Sequence, residues 1–336
     1  MKTQTSTPGA QRLTLEQLRQ WEDLKFGMFI HFGMSTYDGN ELSKGDLPST
    51  AYAPDKLDVD QWVCVARDAG MKYAVLTTKH VAGHCLWPTK QTDYHVGTSG
   101  NTTDVVEAFV KSCEKRGVLP GFYYCSWDNH HRFGSLTPTD TAVWESALVG
   151  RLPDPQLSFT TKEYQEFQTA QITELLTHYG RIAEVWIDIP AVLPRCYRQE
   201  LYDHIAKLQP HAVIMMNNGI GDGSLYPVSK AWPADIIAIE RFLPNSHTAH
   251  VKWREIEGKK YYMPGEVCDP IGREWFFTEE DQPRSDEELL GMYLVSVSRG
   301  TNLLLDVGPD KHGLIPEKFS GALQRLRANL DKLGIG

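Results

Sequence analysis

The sequence lacks the features that would send the chain to a membrane or to nucleic acid. No run approaches the roughly 18 apolar residues needed to span a bilayer. Residues 1–10 are polar, without the apolar stretch of a signal peptide. The expected compartment is the cytoplasm, or the periplasm or exterior if a leader was removed. Basic charge is scarce: 34 Lys and Arg stand against 43 Asp and Glu, a net charge of −9. Nucleic acid and anionic membranes attract basic surfaces, so neither is an expected partner. The six cysteines, Cys64, Cys85, Cys113, Cys125, Cys196 and Cys268, include no CxxC pair. They read as reduced residues rather than a disulfide framework or a zinc site. No linker or low-complexity tract divides the 336 residues, so a single domain over 1–336 is expected, with 1–12 disordered or peripheral.

What the sequence does contain is an alternation of short β-branched or aromatic runs with amphipathic helical stretches. Strands are predicted at Lys25–Gly33, Tyr73–His80, Leu119–Ser126, Glu184–Ile189, Ala212–Asn218, Asp235–Arg241, Tyr261–Val267 and Asn302–Gly308. Helices are predicted at Val59–Ala69, Thr103–Arg116, Lys162–His178, Cys196–Lys207, Ser285–Ser298 and Pro316–Leu333. Such alternation implies a parallel sheet with right-handed crossovers, and a count of eight strands favours a closed α/β barrel of the (β/α)8, TIM type. Long Gly- or Pro-containing connections follow Asn218 and Arg241, so the helices after strands 5 and 6 are expected to be irregular or missing. The first strand ends HFGMSTYDGN rather than in a GxGxxG turn, which counts against a dinucleotide-binding fold.

In an α/β barrel the active site gathers at the C-terminal ends of the strands. There the sequence places His31, Lys79 and His80, Trp127 and Asp128, Asp188, Asn217, Glu240 and Arg241, Glu266, and Asp306. Asp188 in EVWIDIP follows an apolar run, where desolvation can set its reactivity. Glu240 in DIIAIER lies two strands on and could face it. Paired carboxylates are what hydrolysis of a glycosidic bond needs: one attacks or stabilises the anomeric carbon while the other protonates the departing oxygen. Nine Trp and fourteen Tyr residues would suit sugar stacking as well as core packing. His31, His80, His84 and Asp188 could in principle ligate zinc. However, the first strand ends His-Phe-Gly without a His-x-His, and there is no HExxH, so no metal and no cofactor is expected.

The stretches KFGMFIHFG, QWVCVARDAGMKYAVLTTKH, CLWPTKQTDYHV, GFYYCSW, HYGRIAEVWID and RGTNLLLDVGPDKHGLIPE resemble glycoside hydrolase family 29, the retaining α-L-fucosidases, in the family's order from about Trp21 to Glu317. The resemblance implies an exo-acting enzyme that removes terminal α-L-fucosyl residues by double displacement. Asp188 would be the nucleophile, and Glu240 the acid/base with Glu266 as the alternative. It implies sugar contacts from His31, Glu41, His80 and Tyr124, with Trp87 beside the pocket; His84, Trp127 and Asn217 complete the expected binding set. The expected partner is a fucosylated oligosaccharide or small glycoside, and assembly into a homo-oligomer is compatible with the sequence. Three departures stand out. The family's KHHDGF reads KHVAGH, placing Val81, Ala82 and His84 where a second histidine, an aspartate and a phenylalanine are expected. A Glu-Trp pair has become Glu41-Leu42. The family's C-terminal β-sandwich is not expected here. The first two would reshape sugar recognition, toward an α-L-galactoside for example, or leave a carbohydrate-binding protein without catalysis.

Overall fold

The computed structural model describes residues 7–134, 160–217, 219–224, 231–245, 247 and 249–335. Its centre is one sheet of eight parallel strands: β1 (Phe26–Ile30), β2 (Tyr73–Lys79), β3 (Leu119–Cys125), β4 (Glu184–Asp188), β5 (Val213–Asn217), β6 (Ile237–Glu240), β7 (Gly265–Pro270) and β8 (Thr301–Asp306). They neighbour one another in the order β5-β4-β3-β2-β1-β8-β7-β6. The ring closes between β5 and β6 through a single parallel bridge, Met215 to Ile236. There the Asp235 N–H donates to the Ile214 carbonyl and the Ile214 N–H donates to the Asp235 carboxylate. β1, β2 and β8 are buried at every position, because barrel strands are covered on both faces.

Seven helices of eight or more residues lie among the described residues: α1 (Leu15–Glu22), α2 (Val59–Asp68), α3 (Val105–Arg116), α4 (Lys162–His178), α5 (Arg195–Leu208), α6 (Asp286–Ser298) and α7 (Glu317–Lys332). Local chemistry sets several of their starts. The side chains of Asp58, Asp104 and Thr161 accept from backbone N–H groups of the first turns of α2, α3 and α4, and Ser285 with Glu288 forms a reciprocal box at α6. The six predicted helices match within two residues, while α1 is not among those expected. None of these helices is long and apolar enough to cross a membrane.

The seventh strand corrects the sequence expectation. Tyr261 and Tyr262 belong to a separate antiparallel hairpin, Trp253–Ile256 with Lys259–Tyr262, and the barrel strand begins only after Pro264, at Gly265. This hairpin occupies the connection after β6, where a displaced or missing helix was expected. The connection after β5 includes residues 225–230, which lie outside the described residues. Of the segment 1–12, expected to be disordered or peripheral, the described residues 7–12 lie against the hairpin and, through Arg12, against the joint of the barrel. Thr7–Pro8 pairs with Lys259–Lys260, Gln11 donates to the Tyr262 carbonyl, and Arg12 pairs with the buried Asp235.

Alternate residues of each strand fill the interior and set the floor of the mouth. A Cβ on Gly27 would sit 2.6 Å from the Tyr73 ring, so only glycine lets that tyrosine cross the lumen. Above it Phe29 meets Trp186, Tyr123 and Trp275 edge-on, with ring centroids 5.1, 5.8 and 6.2 Å away. Fully burying each such ring stabilises the fold by roughly 1.5–3 kcal/mol. The same alternation that points Trp186 inward brings Asp188, two residues on, to the upper rim.

Candidate active site

Asp188 ends β4 and Asn217 ends β5, and the ladder places them side by side. Asp188 Oδ2 accepts from the Tyr123 hydroxyl at 2.6 Å, and its Oδ1 accepts from Asn217 Nδ2 at 2.9 Å. The same Asn217 nitrogen donates to Glu240 Oε2 at 2.8 Å. One amide therefore spans the two carboxylates. Burial holds the Asp188 carboxyl above its ordinary value, partly offset by the hydrogen bonds from Tyr123 and Asn217. Burial, then the charge of Asp188, pushes Glu240 up to about 8, against the pull of Asn217. Burial therefore raises both acids, and the two side-chain hydrogen bonds at Asp188 oppose that rise.

Around this pair stand His31, His80 and Glu41. His31 donates or accepts at Nδ1 with Asp306 Oδ1, 2.7 Å away, and burial pulls the imidazole down to about 3. His80 stacks on Tyr123 at 5.5 Å and meets Phe276 edge-on at 4.9 Å; its Nδ1 is buried without a hydrogen-bond partner. The Glu41 carboxyl is pushed up to about 7, first by burial and then by Glu274, Asp188 and Asp306, with Arg241 opposing. Arg241 lies 4.7 Å above the Trp275 ring and donates to the Arg273 carbonyl at 2.8 Å. This fixes a cation on the rim beside Glu240.

The structure thus brings together Asp188, Glu240, His31, Glu41, His80 and Asn217. Five of the expected acid/base and sugar-contact residues, together with the strand-end Lys79, make their contacts elsewhere. Glu266 is the second residue of β7, not its end. It lies low in the barrel, accepting from Tyr73 at 2.5 Å and Trp186 at 3.0 Å, so it is no neighbour of the mouth. Tyr124 points opposite to Tyr123 along β3 and bonds to Gln171 and Lys79 outside the lumen. A register shift between Thr77 and Lys79 turns Lys79 to that same outer side, against Asp128 and Tyr164. His84 bonds to Ser99 at 2.9 Å and stacks on Tyr52. Trp87 donates to Glu174 of α4, and Trp127 stacks on Phe133 while donating to Asn129. The residues at the mouth that the sequence did not assign a role are Tyr123, Arg241, Trp275, Phe276 and Asp306. Arg241 and Asp306 were visible as strand ends; the REWFF segment carried no signal of its own.

Fold and site together define a parallel α/β barrel with a paired-carboxylate mouth, the arrangement that cleavage of a glycosidic bond requires. The alpha-L-fucosidase family model matches residues 46–334, and the chain belongs to that family. Alpha-L-fucosidase 1 of Arabidopsis thaliana is 32% identical over 325 residues, covering 91% of this chain and 58% of the relative. The putative alpha-L-fucosidase 1 of Oryza sativa subsp. japonica is 28% identical, with 91% and 56% covered. The chain therefore spans less than two thirds of the length of these relatives. Among solved structures, alpha-L-fucosidase isoenzyme 1 from Paenibacillus thiaminolyticus superposes with a TM-score of 0.77 at 27% identity, over 95% of this chain and 76% of that one. The Lactobacillus casei alpha-L-fucosidase, solved with its α-L-fucose product, shares the fold at a TM-score of 0.73 and 23% identity, over 95% and 99%.

Proposed function

We propose that this chain is an exo-acting α-L-fucosidase that removes terminal α-L-fucosyl residues by double displacement. Asp188 is the nucleophile and Glu240 the acid/base. The observation that carries the reading is the Asn217 amide between them. Both acceptor oxygens lie within 2.9 Å of one nitrogen. That keeps these oxygens within about 6 Å of each other, in keeping with the roughly 5–5.5 Å of retaining enzymes rather than the roughly 6.5–9.5 Å of inverting ones. Asp188, ionised and held by two donors, attacks the anomeric carbon. Glu240, protonated, gives its proton to the leaving oxygen and then takes one from water. His31, His80, Glu41 and Arg241 supply the polar contacts to ring hydroxyls, over an aromatic floor of Trp275 and Phe276.

Asp188→Ala should lower kcat/KM on an aryl α-L-fucoside by at least about a thousandfold; an unchanged rate would sink the assignment. Proton NMR of the first product should show the α-anomer, as retention demands. A second sugar is favoured by one observation: Val81 and Ala82, where the family has histidine and aspartate, are apolar and buried. An aryl α-L-galactoside assayed beside the fucoside separates the sugar from the chemistry. Sugar binding by calorimetry without turnover would instead support a carbohydrate-binding protein.

A further inference from the structure

His31 and Asp306 meet at the mouth, separate from the Asn217-bridged carboxylates. His31 follows β1 and Asp306 ends β8, the adjacent strand, and their contact at 2.7 Å is buried on both sides, with 4% and 1% of their surfaces exposed. The imidazole is boxed by rings: Phe29 at 4.5 Å, Trp275 at 5.1 Å, Phe276 at 5.3 Å, His80 at 5.6 Å and Tyr123 at 5.8 Å. Nδ1 is taken by Asp306 Oδ1. The other carboxyl oxygen, Oδ2, is buried with no hydrogen-bond partner.

Three proton arrangements are open to the pair. An imidazolium beside a carboxylate would bury two charges, and burial already pulls this imidazole down to about 3. A neutral imidazole donating from Nδ1 to an ionised Asp306 would leave an anion with one bare, buried oxygen, in a mouth that already holds Asp188. A protonated Asp306 donating from Oδ1 to Nδ1 leaves no charge and no orphaned donor. The groups facing the pair agree with this choice. Asp188 on β4 and Arg241 after β6 act on His31 in opposite senses, and the pull of burial exceeds both. Burial likewise carries the Asp306 carboxyl well up, reinforced by Asp269 and Asp281 and opposed by the His31 backbone N–H and Arg241. His80 and Glu41 complete the surroundings.

We propose that Asp306 is a positioning residue, protonated and donating to His31 Nδ1, which fixes His31 as a neutral imidazole presenting Nε2–H into the mouth as a donor to a substrate oxygen. Only the last clause rests on the reading of the mouth as a sugar site. The pair resembles a catalytic carboxylate–histidine couple with the proton on the opposite partner. Asp306 touches no reacting atom and acts through His31.

The test is nitrogen NMR of the ligand-free protein labelled with 15N-histidine, the His31 signals being assigned with His31→Gln. The expected pattern is a protonated Nε2 and bare Nδ1, unchanged from pH 5 to pH 8. A protonated Nδ1 with bare Nε2, or an imidazolium titrating in that interval, overturns the proposal whether or not the chain hydrolyses fucosides. Two variants then test the positioning. In Asp306→Asn the amide can still donate to Nδ1, so the Nε2–H pattern should persist. In Asp306→Leu that donor is gone, the pattern should become mixed, and kcat/KM on an aryl α-L-fucoside should fall about tenfold below that of Asp306→Asn, mainly through KM. Equal kcat/KM in two folded variants that differ in their His31 pattern would overturn the positioning role. Should Asp306→Leu fail to fold, a switch of Asp306→Asn to protonated Nδ1 would likewise count against it. Loss of all activity in the wild type, with the expected NMR pattern intact, would strike the proposed function and leave the proton assignment standing.

Discussion

Asn217 uses one amide group to hold two acids that the proposed double displacement needs in different states, and a pH dependence follows from that. Glu240 works as an acid only while protonated, so the rate should fall as pH rises through about 8. As the proposed nucleophile, Asp188 would attack only when ionised, so the rate should also fall as pH drops through its own value, which burial raises from that of an ordinary aspartate. A bell-shaped profile of kcat/KM is the expected result, its two limbs belonging to the coupled pair rather than to either acid alone. Tyr123→Phe removes one of the two side-chain donors that draw Asp188 down. The acid limb should move to higher pH and kcat fall about tenfold; an unmoved limb in a pH–rate series would show that Tyr123 does not tune the nucleophile. The same tyrosine marks the limit of what the sequence could tell. In GFYYCSW both tyrosines sit in a strand buried on both faces, so hydrophobic alternation is erased and neither parity is favoured. The site contacts therefore could be placed on Tyr124 as readily as on Tyr123. Asp188, Glu240 and His31 were legible because each is a polar residue directly following an apolar run.

Among the elements, seven strands of the barrel could be bounded within about three residues because each is a short apolar run between polar turns. β7 was not, and the reason is local. Tyr261 and Tyr262 have the β-prone character of a barrel strand, and only pairing distinguishes a surface hairpin from the sheet it flanks. The slip moved Glu266 from the base of a strand to its end, and with it one acid/base candidate. The N-terminal segment carries little signal of its own for a different reason: the contacts that place its described residues are with distant parts of the chain. Asp235 accepts from Arg12, from the Tyr202 hydroxyl at 2.6 Å and from the Ile214 N–H at 2.9 Å, at the joint between β5 and β6. Asp235→Ala would strand all three donors. The expected loss is about 3–5 kcal/mol of stability, measurable by denaturant unfolding. A change below the scatter of surface substitutions would mean that the joint is held by packing alone.

At the scale of the molecule, the lower barrel carries a second buried pair of acids with no catalytic partner. Glu184 and Glu266 lie across the lumen, receiving Trp21, Trp186 and Tyr73. Burial raises both carboxyls, Glu184 further through the charge of Glu266. A raised folded-state value means that the native chain binds more protons than the unfolded one. The stabilisation is complete below the unfolded value near 4.5 and is lost as pH climbs toward the raised one, at up to about 1.4 kcal/mol per pH unit for each group. Glu184→Gln should accordingly melt above the wild type at pH 8 to 9, with the gap narrowing at pH 5. A constant gap in thermal scans would refute this origin. The joint between β5 and β6 has a wider consequence. A ring fastened everywhere by ladders and at one place by a clasp will open at the clasp. This one lies directly beneath Asn217 and Glu240, so breathing of the barrel is felt first by the machinery at its rim. Under the proposed function, activity should therefore be lost at a lower denaturant concentration than the secondary structure of the barrel.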